Sequence, residues 1–282
     1  MNKIDFFNKY PNLKIEEFEK LPVKWDDLLL IYDDYKKSED DFKQQAQLLF
    51  QKIITFRHVH SCKFRVKDPE HLIEKIIRKA LKGGDLITID NYREKLHDLI
   101  GLRAIHLYKE DWESLNSQIK DKWGHSFVGQ PVANIREGDS AEFVSQFESS
   151  GGLIKKHQFG YRSIHYILTV PYDGKNYYAE LQVRTIFEEG WSEIDHDIRY
   201  PYNEDNPLYQ NYLGILNRLA GASDEMATML RFIDRDQNEK IKYIAELKEE
   251  ISQLNEQLLQ RSIWERMKRF FKRLIGFFKK KD

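Results

Sequence analysis

Two short alternating runs carry the side chains best suited to chemistry. In SIHYILTV (Ser163–Val170), Ser163 and His165 fall on one face, and Ile164, Tyr166, Leu168 and Val170 on the other. In YYAELQVRT (Tyr177–Thr185), Glu180, Gln182 and Arg184 share one face, while Leu181 and Val183 share its reverse. Pro171-Tyr172-Asp173-Gly174-Lys175 joins the runs and reads as a hairpin connection. Folded so, the hairpin displays an imidazole, a carboxylate, an amide and a guanidinium above an apolar core. Taken alone, such a surface is equally well a solvated polar face.

Two further segments add to it. Asp98, in KLHDLIGLRAI, stands just before a run whose apolar residues require burial. With Glu180 it could hold a hard cation such as Mg²⁺, which takes oxygen ligands and bridges to phosphates; alone it could equally cap a turn. In PEHLIEKIIRKAL, His71, Lys75 and Arg78 share one helical face, and Arg65 and Lys67 lie just upstream. Arg forks onto phosphate oxygens and Lys supplies a point charge, so this cluster suits a polyphosphate. It would also serve as a solvated or general nucleic-acid-binding face.

These residues need elements to hold them. The stretch from Asn12 to Phe56 is mostly helical in pattern; an extended piece ends near Lys67, and a helix starts at Pro69 and stops at Lys82-Gly83-Gly84-Asp85. Gly101–Tyr108 reads as a strand and Asp111–Trp123 as a helix. Residues 136–157, rich in Gly, Ser and charge, read as a mobile loop. A helix through Trp191 and His196 breaks before Pro201, and everything beyond Pro207 is helical in pattern. Cys62 is the only cysteine of the 282 residues, which excludes an intrachain disulfide and a Cys-rich metal site. The N-terminus is unlike a signal peptide, and no apolar run approaches the ~18 residues of a span. The expected location is cytoplasmic.

In order and spacing, RVK…EHLIEKIIRK, HDLIGLR, GYRSIH, ELQVRT and W-x-x-x-D-H together resemble the synthetase domain of the RelA/SpoT family, of the small alarmone synthetase type. The resemblance implies an α+β fold: a nucleotidyltransferase-like mixed β-sheet flanked by helices, with an α-helical C-terminal extension. It places the synthetase domain at 1–205, including N-terminal helices at 1–57. It further implies transfer of pyrophosphate from ATP to the 3′-hydroxyl of GDP or GTP, giving ppGpp or pppGpp in stringent-response-type signalling. By the same resemblance Arg65 and Arg103 sandwich adenine, and Lys67, Lys75 and Arg78, with His71 beside them, contact the ATP phosphates. Asp98 and Glu180 are the Mg²⁺ ligands, and Glu180 also activates the hydroxyl. Tyr161 stacks on the acceptor base, His165 contacts its phosphates, and Lys155, Lys156, His157, Ser163, Gln182 and Arg184 complete the acceptor pocket. No hydrolase domain is expected.

Three positions depart from the family pattern. His71 stands where many members have Ser, His157 where a phosphate-binding Lys is expected, and Asp195 replaces the usual Glu before His196. They leave the acceptor open: a toxin of the same fold would act on the 3′ end of tRNA or on adenine nucleotides. A catalytically silent module that binds guanine nucleotides is the third alternative.

The C-terminal extension divides in two. Across 206–260, Ile244, Leu247, Ile251, Leu254 and Leu258 alternate by three and four as in a short coiled coil. Across 261–282, Ile263, Trp264, Met267, Phe270, Phe271, Leu274, Ile275 and Phe278 form an apolar stripe, with Arg266, Lys268, Arg269, Lys272 and Arg273 largely opposite. Nine Lys/Arg against Glu265 and Asp282 give this segment +7, so with a net charge of −1 the first 260 residues carry −8. Residues 244–282 thus suit an inner membrane surface, self-association into a homo-oligomer, or RNA.

Overall fold

The computed structural model describes residues 1–199 and 206–278, with side chains described up to Lys272. It forms two compact units, Met1–Thr228 and a second beginning at Met229. In the first, helices α1 (Lys3–Lys9), α2 (Ile15–Phe18), α3 (Trp25–Lys37) and α4 (Glu39–Ile53) bury one apolar side each. Phe6, Phe18, Leu28, Ile31, Phe42 and Leu49 enter the core, while the charged residues between them stay outside.

Strand β1 (Ser61–Val66) leads into α5 (Pro69–Leu81). Asp68 caps this helix by accepting hydrogen bonds from the backbone N–H of Glu70 and His71 (2.9 and 3.0 Å), and Pro69 supplies a first-turn φ. The one-turn helix α6 (Tyr92–Lys95) precedes β2 (Ile100–His106), and α7 (Asp111–Trp123) follows. Then come β3 (Val132–Ile135), α8 (Ala141–Ser149), β4 (Leu153–Lys156), β5 (Ser163–Tyr172), β6 (Lys175–Thr185) and α9 (Ile186–Arg199). Helix α10 spans Pro207–Phe278.

The six strands form one mixed sheet in the order β1-β2-β6-β5-β3-β4. Pairs β2/β6 and β3/β4 are parallel, and the other three pairs are antiparallel. This is the expected α+β architecture of a mixed sheet flanked by helices, with a helical C-terminal extension. The hairpin is tighter than the five-residue connection expected. Only Asp173 and Gly174 lie outside the strands, both left-handed at φ 47° and 70°, the demand of a two-residue turn that matches strand twist.

The expected loop at 136–157 is instead structured, containing α8 and β4. Its polar composition hid a small apolar face: Phe143 and Phe147 pack on Trp112 at ring distances of 5.2 and 5.6 Å. The Ser140 hydroxyl caps α8 by accepting from the N–H of Phe143 (3.4 Å).

In the second unit, Ile244, Leu247, Ile251, Leu254 and Leu258 are all exposed on α10, as are Ile263, Trp264, Met267, Phe270 and Phe271. The stripe members Leu274, Ile275 and Phe278, with Arg273, have side chains outside the described residues. Among the described residues no helix is long and apolar enough to cross a membrane.

Candidate active site

Strand register assembles the site. Arg65 pairs with Gly101, and Gly101 with Glu180; one step along, Lys63, Arg103, Gln182 and His165 form the next row. Alternation sends all of these to one side, while Leu102, Ala104, Leu181, Val183 and Tyr166 on the reverse are buried in the core. Gly101 is sterically apt. A Cβ there would sit 3.3 Å from Arg65 Cγ, so glycine is what lets the arginine stem lie flat across the sheet. The cleft above these rows encloses about 350 Å³ and is lined by Arg65, Asp98, Arg103, Glu180, Gln182 and His196 among others.

At one end, Asp98 sits in the turn before β2. Its Oδ2 accepts from Lys67 (3.1 Å) and Lys75 (2.6 Å), so α5 and the end of β1 both deliver a cation to one carboxylate. Burial opposes charge on Asp98, yet Lys67 and Lys75 outweigh it and hold its pKa at about 2. Burial lowers the pKa of Lys67; Asp98 resists this and Lys75 adds to it. The other oxygen, Oδ1, is buried without a hydrogen-bond partner. Among the described residues no cluster of three or more His, Cys, Asp or Glu is poised for a metal. That does not disfavour Mg²⁺, which is usually held by one or two carboxylates plus substrate phosphates. The orphaned Oδ1, with Glu180 close enough to feel the Asp98 charge, is a donor set that fits such an ion.

Beside it runs a hydrogen-bonded chain. Since a carboxylate only accepts, His165 Nδ1–H donates to Glu180 Oε1 (2.9 Å). Its Nε2 then accepts from the Tyr161 hydroxyl (3.1 Å), whose oxygen accepts from Arg184 Nη2 (2.7 Å). One proton arrangement satisfies every link from Arg184 to Glu180. Burial, with the Asp98 charge, pushes the Glu180 carboxyl up, but the interactions of His165 and the Gln182 hydrogen bond together outweigh it, and the carboxyl lies below its ordinary value. Arg184 is itself buried and reaches Glu189 (3.2 Å) as well as Gln182.

Other expected residues are placed less centrally. His71 is exposed at the start of α5, edge-on to Tyr10, and Arg78 pairs with Glu74 at 2.9 Å. Ser163 is buried and donates to the Val183 carbonyl (3.5 Å), a sheet contact. Lys155 shares the parity of Ser163 through Asn134, whereas Lys156 has the opposite parity; both are exposed. His157 lies against the Tyr161 ring (5.4 Å), its pKa lowered by burial and then by Lys155. Asp195 pairs within α9 with Arg199 (2.6 Å), whose guanidinium lies 3.8 Å from the centre of the Phe159 ring.

Sequence reading missed Lys63, although its alternation with Arg65 signalled the shared face. It also missed Glu189, the buried carboxylate on α9 that meets Arg103 (3.1 Å), Arg184 (3.2 Å) and Lys63 (3.5 Å). Glu193, one turn on, also binds Arg103. Arg162 was passed over too. It forks onto Asp139 from a buried position (2.6–3.0 Å) and lies flat against Gly221 of α10. The carbonyl of Gly160, a residue at φ +74°, accepts from Asn217 Nδ2 (2.9 Å), and a Cβ on Gly160 would meet Asn217 Oδ1 at 3.0 Å. The glycine–tyrosine–arginine loop is thus clamped by Asn217 and Gly221, in the third and fourth turns of α10.

The profile described as "Region found in RelA / SpoT proteins" matches residues 64–205, the stretch that holds this cleft. The chain belongs to the RelA/SpoT family. Among members, it is 24% identical over 200 residues to GTP pyrophosphokinase YwaC of Bacillus subtilis, covering 68% of this chain and 83% of that one. Its fold matches the crystal structure of small alarmone synthetase 1 from Bacillus subtilis with a TM-score of 0.57 and 19% identity, covering 72% of this chain and 99% of that one. The same synthetase bound to its product pppGpp matches with a TM-score of 0.50 and 18% identity, over 72% of this chain and 99% of that one. This RelA/SpoT region therefore includes Asp98, the Glu180–His165–Tyr161–Arg184 chain and the α5 cations.

Proposed function

We propose that this protein transfers the β,γ-pyrophosphoryl group of ATP to the 3′-hydroxyl of GDP or GTP, releasing AMP and forming ppGpp or pppGpp. The observation that carries the reading is the pair of carboxylates in one cleft with opposite surroundings. Asp98 is ringed by lysines, and Glu180 is held ionised at the end of a proton-ordered chain. The names of its relatives, a GTP pyrophosphokinase and a synthetase bound to pppGpp, support the same reading.

In the reaction the acceptor O3′ forms a bond to Pβ, the Pα–O–Pβ bridge breaks toward AMP, and the hydroxyl proton leaves. Glu180 takes that proton, oriented by His165 at one oxygen (2.9 Å) and by the Gln182 amide at the other (3.0 Å). Lys67 and Lys75 place positive charge where the transferred phosphates gather it, and Arg65 and Arg103 flank the adenine. Asp98 and Glu180 would hold Mg²⁺, which supplies charge neutralisation of the phosphates when bound. The Tyr161 ring offers the acceptor base a stacking face beside His157.

The test is one incubation of the protein with Mg²⁺ and β- or γ-labelled ATP, offering GDP, GTP, AMP, ATP and bulk tRNA in separate tubes. Label in ppGpp or pppGpp is the expected result. Label only on tRNA or an adenine nucleotide would replace the proposed acceptor while keeping the site. Guanine-nucleotide binding without transfer would make the chain a silent module.

A further inference from the structure

Within the second unit, helix α10 changes surface chemistry at Arg261. Residues 229–260 carry five cations and seven carboxylates, whereas residues 261–272 carry five cations and only Glu265. In the latter stretch Ile263, Trp264, Met267, Phe270 and Phe271 are 50%, 58%, 46%, 61% and 53% exposed. At about 100° per residue these five share an arc of roughly 120°. Arg261, Arg266, Lys268, Arg269 and Lys272 occupy the rest of the circumference, with Arg266 and Lys268 bordering the stripe on its two sides.

We propose that residues 261–272 bind the surface of an anionic lipid bilayer, with the apolar stripe in the acyl boundary and the cations among the headgroups. Three observations choose this occupant. First, a bilayer surface satisfies both faces at once, whereas a nucleic acid would neutralise the cations and leave the five apolar side chains in water. Second, a second copy packed stripe to stripe would bring the bordering Arg266 and Lys268 of each helix close to like charges on the other. Third, among the described residues no helix is long and apolar enough to cross the membrane, so the segment lies on the surface rather than through it. Lys268 Nζ already lies over the Trp264 ring, 5.5 Å from its centre, so the cation and the apolar stripe meet at their border.

The experiment is flotation of the full chain with phosphatidylserine-containing vesicles and with pure phosphatidylcholine vesicles, at low and high salt. Binding to the former, weakened by salt and nearly absent with the latter, is expected. Replacing Arg266, Lys268 and Arg269 with Gln should weaken binding roughly a hundred-fold, at about tenfold per 1.4 kcal/mol and about 1 kcal/mol per cation. That variant keeps the apolar stripe, so its helix content by circular dichroism should match the parent. Trp264→Glu with Phe271→Glu should abolish flotation. No flotation with anionic vesicles, equal flotation with neutral ones, or a bulk tRNA complex in its place would overturn the proposal. So would undiminished flotation of either variant.

Discussion

Replacing His165 with Phe tests the reading of the cleft most sharply. The Glu180 side chain is 20% exposed, and burial alone would raise its carboxyl above the ordinary 4.5; His165, bonded at 2.9 Å, is the main group that reverses this, with Gln182 adding to it. A hydrogen bond to a charged group is worth about 1.5–3 kcal/mol, so losing it leaves burial and the Asp98 charge to push the Glu180 carboxyl upward. The sign follows directly. The base works ionised, so the acid limb of the kcat/KM–pH profile, set in the parent by a carboxyl held below 4.5, should shift toward neutrality. His165→Asn, whose amide can donate from near the Nδ1 position, should restore much of the original limb. The assay is product formation from labelled ATP across the acid range. An acid limb unmoved in His165→Phe, with activity lowered equally at every pH, would refute the assignment of Glu180 as the base and leave His165 a mere substrate contact.

Three other perturbations probe separate parts. Glu180→Gln should keep the fold and lower kcat about 10²–10⁴-fold, the usual cost of losing a general base, and full activity would remove Glu180 from the mechanism. Asp98→Asn should abolish transfer and remove about 2 kcal/mol of stability at neutral pH, because its carboxyl is held at about 2 rather than 3.8. That contribution is complete above 3.8 and lost as pH falls through about 2, so urea melts of parent and variant should converge at the acid end. Gly152→Ala would place its Cβ 2.1 Å from the buried Phe147 ring, and overpacking of this kind should cost about 1–3 kcal/mol in a denaturant melt; an unchanged midpoint would mean that α8 is not docked as described.

Much of the site was legible in the chain. Alternation along Ser163–Val170 and Tyr177–Thr185 is a local property, because successive side chains on any strand must point to opposite sides. That alone places Glu180, Gln182 and Arg184 opposite Leu181 and Val183, as the structure has them. The start of α5 was equally local: a carboxylate cap followed by proline satisfies the first helical N–H groups from within five residues. The family motifs likewise lie within the matched residues 64–205.

What the chain order could not say is which distant groups meet. Nothing near Asp98 in sequence reveals that Lys67 and Lys75 converge on one oxygen, or that Glu189 gathers Arg103, Arg184 and Lys63; both depend on strand order and on where α9 crosses the sheet. The segment 136–157 misled because its helix is stabilised by stacking on Trp112 of α7, not by its own composition. Residue types and short-range periodicity therefore set which candidate side chains share a face, and the linked motifs carried the family resemblance that implied their chemistry. The order of the Arg184–Tyr161–His165–Glu180 chain was decided only when folding brought donors and acceptors to hydrogen-bonding distance.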